Sequence, residues 1–131
     1  MNLLFAGLVV AAWQFLAAVN PDLFFSFVFG HPVVESNQHE REAWTFAGDQ
    51  TLYVNPAMIR AQHPEASWKV VAACNLVHEG AHKRLDTSTE LIPLLFQYMC
   101  LQDVGASKEE VNRVRAQIFW YLDKEYPKLT P

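Results

Sequence analysis

The stretch Pro64 to Leu85, PEASWKVVAACNLVHEGAHKRL, decides how this chain is read. Proline is favoured at the first position of a helix, where its missing N–H would have no partner anyway. From Trp68 onward the residues are largely apolar, as expected of a helix at the centre of a domain. Inside it stands His78-Glu79-Gly80-Ala81-His82. Side chains at i and i+4 of a helix lie one above the other on the same face, so both imidazoles can reach one metal ion. Glu79, one position past His78, can serve as general base toward a water on that ion without being a ligand. Zinc lowers the pKa of such a water to around 7. Glu79 would take the proton and later hand it to a leaving amine.

The composition gives about 0.01 chance matches to this pattern in a chain with five His and nine Glu. The apolar helical context adds to the specificity. The competing reading is a surface helix on which Glu79 pairs with Lys83 at i,i+4 and the histidines are incidental. Gly80 costs roughly 1 kcal/mol against Ala inside a helix, and close approach of another backbone is the usual reason to keep it.

A catalytic zinc takes three protein ligands and keeps one position open. Glu90, at the start of the next helical segment, is the expected third ligand beside His78 and His82. It has another reading, because Thr87-x-x-Glu90 is a capping-box pattern that needs no metal. Pro93 counts against that box. Asp86 is the rival: on a continued helix it would remain on the metal face, and otherwise it is a turn aspartate. His39 and His63 are more distant alternatives, His39 reading as solvated and His63 as a turn residue or helix cap. Tyr53 and Tyr98 could donate to an oxyanion but read first as half-buried aromatics. Cys74 and Cys100 fall on adjacent helices, so a disulfide is conceivable, with nothing in the sequence to support it.

Outward from the motif, Ala43–Ala47 and Gln50–Val54 flank Gly48-Asp49 as a hairpin. Asn55-Pro56 reads as an N-cap and first turn of a short helix over 56–62. A helix is expected from Thr87 to about Val104. Ser107-x-x-Glu110 opens a last helix striped with Val111, Val114, Ile118, Phe119 and Leu122 and stopped by Pro127. The expected fold class is α+β, mostly helical, with a short β-hairpin before the motif helix.

Residues 1–30 form an apolar N-terminal segment ahead of the domain at 31–131. Leu3 to Val19 is apolar except for Gln14, and 1–21 carries no charge. Three readings stand open: a membrane anchor at the lower edge of spanning length, a cleaved export signal, or a buried core helix. The expected location is membrane-anchored or secreted, with the cytoplasm as the alternative. The chain has 131 residues, a length that fits a single domain, and 51% of them are hydrophobic. The net charge of −4 gives no electrostatic footprint for a phosphate backbone, so nucleic acid is not an expected partner.

The run Asn75 to His82, followed by Ser88-Thr89-Glu90-Leu91, resembles the zincin metallopeptidases, and among them minimal gluzincin-like proteins. The resemblance covers about residues 49–104. It implies a zincin-like domain holding Zn2+ on His78, His82 and Glu90, with Glu79 as the catalytic base, and peptides or proteins as substrates. It also implies that an edge strand before the motif helix, here Thr51–Val54, binds substrate main chain. Many members add an acidic residue a few positions past the third ligand, where this chain has Gln97 and Tyr98. The alternative function is a zinc-binding module of the same fold that acts by interaction without turnover.

Overall fold

A computed structural model describes residues 7–127. It is an α+β structure, mostly helical, with one small three-stranded sheet. Helix α1 spans Gly7–Val19, and α2 is a short α-turn at Pro21–Leu23 that continues as a π-helical turn over Phe24–Val28. The strands are β1 (Val33–Glu35), β2 (Ala43–Trp44) and β3 (Leu52–Val54). Helix α3 (Pro56–Gln62) is capped by the Asn55 side chain, which accepts from Met58 N–H at 3.2 Å. A 3-10 turn, Glu65–Ser67, leads into α4 (Trp68–Arg84). Helices α5 (Leu91–Asp103) and α6 (Lys108–Glu125) follow. Pro64 therefore precedes the motif helix instead of opening it, and its backbone is extended.

The centre of the fold is α4. Every residue from Val71 to Ala81 is buried, which explains why this helix reads as apolar all round and not as one stripe. Helices α1 and α5 and the π-helical turn after α2 pack directly on it, the sheet covers another side, and α6 rests on α5. Leu8, Val9, Ala12 and Leu16 of α1 belong to the same core cluster as Leu76, Val77 and Ala81 of α4. Met1 to Ala6, the start of the apolar segment, lie outside the described residues. Among the described residues no single helix is long and apolar enough to cross a membrane. Gly7–Val19 and Pro21–Val28 reach that length and apolarity only together, with a bend of 116° between them.

The sheet departs from the expectation in one respect that matters for the site. Strands β2 and β3 are antiparallel, with Ala43 opposite Val54 and Trp44 opposite Tyr53, as a hairpin requires. Their connection turns at Gly48, whose φ of 79° suits glycine, and Asp49 N–H donates to Phe46 O at 3.2 Å. However, β1 pairs with β3 in parallel, so the order is β1-β3-β2. Thr51–Val54 thus lies on the central strand and has no free edge; the edge on this side is β2. Pairing of Val33–Glu35 with Leu52–Val54, distant in the chain, leaves no local periodic trace, which is why the sequence suggested a hairpin alone.

Helix α5 begins at Leu91, not at Thr87. Pro93 then occupies the third helical position, where its lack of an N–H costs no intrahelical bond. The Thr87 hydroxyl is engaged with Thr89, so no Thr87-to-Glu90 capping box forms. The cap at Ser107 is made, accepting from Glu110 N–H at 3.3 Å, but the Glu110 side chain is buried elsewhere. Cys74 and Cys100 are disulfide-bonded across α4 and α5, with Cα atoms 5.5 Å apart.

Candidate metal centre

His78, Glu79 and His82 come together as the helical spacing demands. One potential ligand atom from each lies within 4.8 Å of the others, a group that could hold a metal ion. They lie in a cleft of about 890 Å3, walled on one side by β2 and its flanking residues. Gly80, on the opposite side of α4, lies against the π-helical turn: a Cβ there would fall 2.7 Å from the Phe27 carbonyl carbon and overlap its oxygen.

Both imidazoles are held by their Nδ1 atoms. His82 Nδ1 lies 2.9 Å from the Thr87 carbonyl oxygen, which can only accept, so Nδ1 carries the proton. That carbonyl is delivered by the way α4 ends. Asp86 takes a left-handed φ of 48°, and the amides of Asp86 and Thr87 fold back onto the carbonyls of Lys83 and His82 at 3.3 and 3.1 Å. This is a Schellman turn with aspartate at the position glycine usually fills. Asp86 is thus the helix-ending residue. It is exposed, and the left-handed turn takes it off the helical path that would have kept it over the histidines. His78 Nδ1 lies 2.8 Å from Gln97 Oε1 on α5.

The free ring nitrogens face one carboxylate. His78 Nε2 is 2.9 Å from Glu90 Oε2, and His82 Nε2 is 3.0 Å from Glu90 Oε1. With each Nδ1 protonated, a neutral ring presents a lone pair at Nε2, and here each lone pair meets an acceptor oxygen. A cation has to lie between them, either protons or a metal ion. His78, His82 and Glu90 would be the residues to hold a metal ion at this point. The His2Glu donor set suits zinc. Glu79 Oε2 is set back, 3.8 Å from His78 Nε2.

Burial pushes the Glu79 carboxyl above its ordinary range, with the neighbouring histidines pulling partly the other way. Burial also opposes ionisation of Glu90, but hydrogen bonds from His78 and His82 outweigh it and hold this carboxyl well below the usual range. For His82, burial disfavours the charged ring. The Glu90 bond and the Thr87 carbonyl overcome that and raise it.

The remaining sequence candidates lie elsewhere. His39 is exposed and packs edge-on against Trp44, ring centroids 5.0 Å apart. His63 is buried against two carboxylates, its Nε2 2.8 Å from Glu42 Oε2 and its Nδ1 2.8 Å from Glu110 Oε2. Tyr53 donates to Asp49 Oδ2 at 2.6 Å, and Tyr98 accepts from Gln102 at 3.1 Å. Tyr53 spends its proton on Asp49, and neither tyrosine is among the residues that line the cleft. Sequence reasoning noted the position of Gln97 without giving it a role, and missed Asn75, Glu42 and Glu110 as parts of the site. Burial of Asn75 within the apolar run Val71–Leu76 was the one available signal, since a polar group there must find a partner.

Comparison with protein-family models, with curated proteins and with solved structures yields no match.

Proposed function

We propose that the protein is a zinc-dependent metallopeptidase of the zincin type, with His78, His82 and Glu90 as ligands and Glu79 as the catalytic base. The observation that carries this reading is the convergence of two imidazole Nε2 atoms, both with Nδ1 committed elsewhere, on one carboxylate. When bound, zinc supplies Lewis acidity and makes water acidic near neutral pH. Glu79 stands beside the ligands in the same cleft, where its carboxylate can take a proton and return it to a leaving amine. Its burial favours the protonated form between those two steps, because a low-dielectric setting penalises the charge.

The edge of β2 supports a peptide substrate. Asn55 N–H donates to Glu42 O at 2.8 Å, and ladder bonds alternate along an antiparallel pair. The peptide groups of Ala43 and Thr45 therefore point away from β3, and both residues line the cleft. An extended peptide can add to that edge and cross the metal centre. The Cys74–Cys100 disulfide fits an oxidising compartment.

The test is zinc stoichiometry of the purified protein together with cleavage of a mixed peptide library. One zinc per chain with cleavage supports the reading. One zinc without cleavage points to the non-catalytic binding module, and no zinc at micromolar free metal overturns both.

A further inference from the structure

A continuous line of polar side chains runs through the interior from α6 to the metal centre. Glu110 Oε2 lies 2.8 Å from His63 Nδ1, an ion-pair distance without hydrogen-bond alignment. His63 Nε2 is 2.8 Å from Glu42 Oε2. Asn75 Nδ2 donates to Glu42 Oε1 at 2.9 Å, and Gln97 Nε2 donates to Asn75 Oδ1 at 2.9 Å. Gln97 Oε1 then faces His78 Nδ1 at 2.8 Å.

The direction of this chain follows from one end. A carboxylate oxygen only accepts, so Asn75 must turn its amide nitrogen to Glu42 and its oxygen to Gln97. Gln97 must then spend its nitrogen on Asn75 and turn its oxygen to His78. That oxygen admits only a protonated Nδ1, which leaves Nε2 of a neutral ring with its lone pair toward Glu90. Side-chain amides could otherwise sit either way round, and a reversed Gln97 would put a donor against His78 and favour the tautomer unable to ligate through Nε2.

We propose that Glu42, anchored by His63 and Glu110, acts through Asn75 and Gln97 as a positioning chain that fixes the metal-ligating tautomer of His78. His82 is fixed by a backbone carbonyl and needs no such chain. The proposal rests on the metal-centre reading and adds to it residues from α5, from α6 and from the segments before β2 and after α3. Glu42 is the remote determinant: it touches neither His78 nor Gln97 in the chain of contacts.

The experiment is a charge transposition. In Gln97→Glu, Asn75 stands between two carboxylates with one amide nitrogen to give. In Gln97→Glu with Glu42→Gln, the whole chain can reverse: the carboxylate now at position 97 accepts from both His78 and Asn75, and the amide now at position 42 donates to Asn75. Zinc dissociation constants are measured by chelator competition for wild type, Gln97→Leu, Gln97→Glu and the double variant. The His78 Nδ1–H proton is followed by NMR with and without zinc, with the fold checked by circular dichroism. The expected results are a slowly exchanging Nδ1–H in wild type, its loss with 10–100-fold weaker zinc binding in Gln97→Leu, and a Gln97→Glu perturbation that Glu42→Gln restores to within about threefold of wild type. An unprotected Nδ1–H in wild type, or a Gln97→Glu effect indifferent to residue 42, overturns the chain even if zinc binds. A protected proton and rescue of its exchange, with no form binding zinc, support the chain and overturn the metal reading.

Discussion

The Phe27 carbonyl lies against the bare α-carbon face of Gly80, the middle residue of the His-Glu-x-x-His motif. The π-helical turn Phe24–Val28 can approach α4 this closely only because residue 80 has no side chain. Its neighbours on the other face, His78, Glu79 and His82, line the cleft. The glycine thus sets how deeply the motif helix is clasped from behind.

Gly80→Ala tests that relationship. Alanine gains about 1 kcal/mol of helix propensity, and an exposed helical glycine would be stabilised by the change. Here the added methyl meets backbone, which cannot rotate away, and overpacking of this kind costs about 1–3 kcal/mol. The expected outcome is a net loss of up to about 2 kcal/mol in denaturant unfolding, with weaker zinc binding as α4 shifts. A variant as stable as wild type would mean that the π-helical turn yields freely.

The Glu79→Gln variant separates ligation from proton transfer. The amide is nearly the same size and sits 3.8 Å from His78 Nε2 in the parent carboxylate's place. Zinc content should be unchanged, while peptide cleavage should fall by at least 10²-fold, the lower range of a general-base contribution. Loss of zinc from this variant would make Glu79 a ligand and reassign the base.

Glu90→Gln and Asp86→Asn decide the third ligand. Glu90 faces both Nε2 atoms at 2.9 and 3.0 Å and makes no cap bond with its side chain. Asp86 ends α4 in a left-handed turn. Chelator competition should show zinc affinity falling more than 100-fold in Glu90→Gln, beyond the range of a lost outer hydrogen bond. Asp86→Asn should bind zinc as wild type does, since asparagine also tolerates that backbone conformation. The reverse pattern would move the ligand to Asp86.

The helices, the Asn55 and Ser107 caps and the core motif were legible because each depends on residues within a turn or two of one another. Histidines at i and i+4 are brought together by the helix itself. Glu90 was legible only in part, because the capping pattern at Thr87 competes with it and the start of α5 is set by where Pro93 costs least. What sequence did not reveal depends on contacts across the fold. The parallel pairing of Val33 with Leu52 leaves no periodic signal, and it turned the presumed edge strand into the central one. Glu110 read as half of a capping box, and nothing local in the sequence marked out Glu42. Only the packing of α6 against the rest of the domain brings Glu110 to His63.

Removal of α1 tests whether the apolar N-terminal segment belongs to the domain. Its Leu8, Val9, Ala12 and Leu16 are buried in the α4 core. A chain starting at Leu23 would uncover the opposing face of α4, and burying one large aliphatic side chain contributes about 1.5–3 kcal/mol. Such a chain should be insoluble or lose its fixed near-ultraviolet circular dichroism. A soluble, cooperatively unfolding product that binds zinc would show the segment to be an appendage with an anchoring or export role alone.

The disulfide between Cys74 and Cys100 offers a last test, since it joins the two helices that supply His78 and Gln97. The bridge closes a loop of sequence separation 26. In the chain-entropy account a loop of that length is worth about 3.5 kcal/mol, drawn from the freedom of the unfolded state. Both sulfurs are fully buried, so reduction of the native protein should be slow without denaturant. Once opened, the bridge takes with it the constraint on the unfolded chain, while α4 and α5 keep their apolar contacts. Cys74→Ala with Cys100→Ala should therefore lower unfolding free energy by about 3–4 kcal/mol and still fold. Its zinc affinity should change far less than its stability, because neither sulfur belongs to the metal centre. The measurement is denaturant unfolding of the variant and of wild type with and without reductant, beside thiol titration under denaturing conditions. Two titratable thiols in unreduced wild type, or a midpoint indifferent to reductant, would show that the bridge does not form. A large loss of zinc affinity at preserved stability would instead assign the bridge to holding Gln97 against His78.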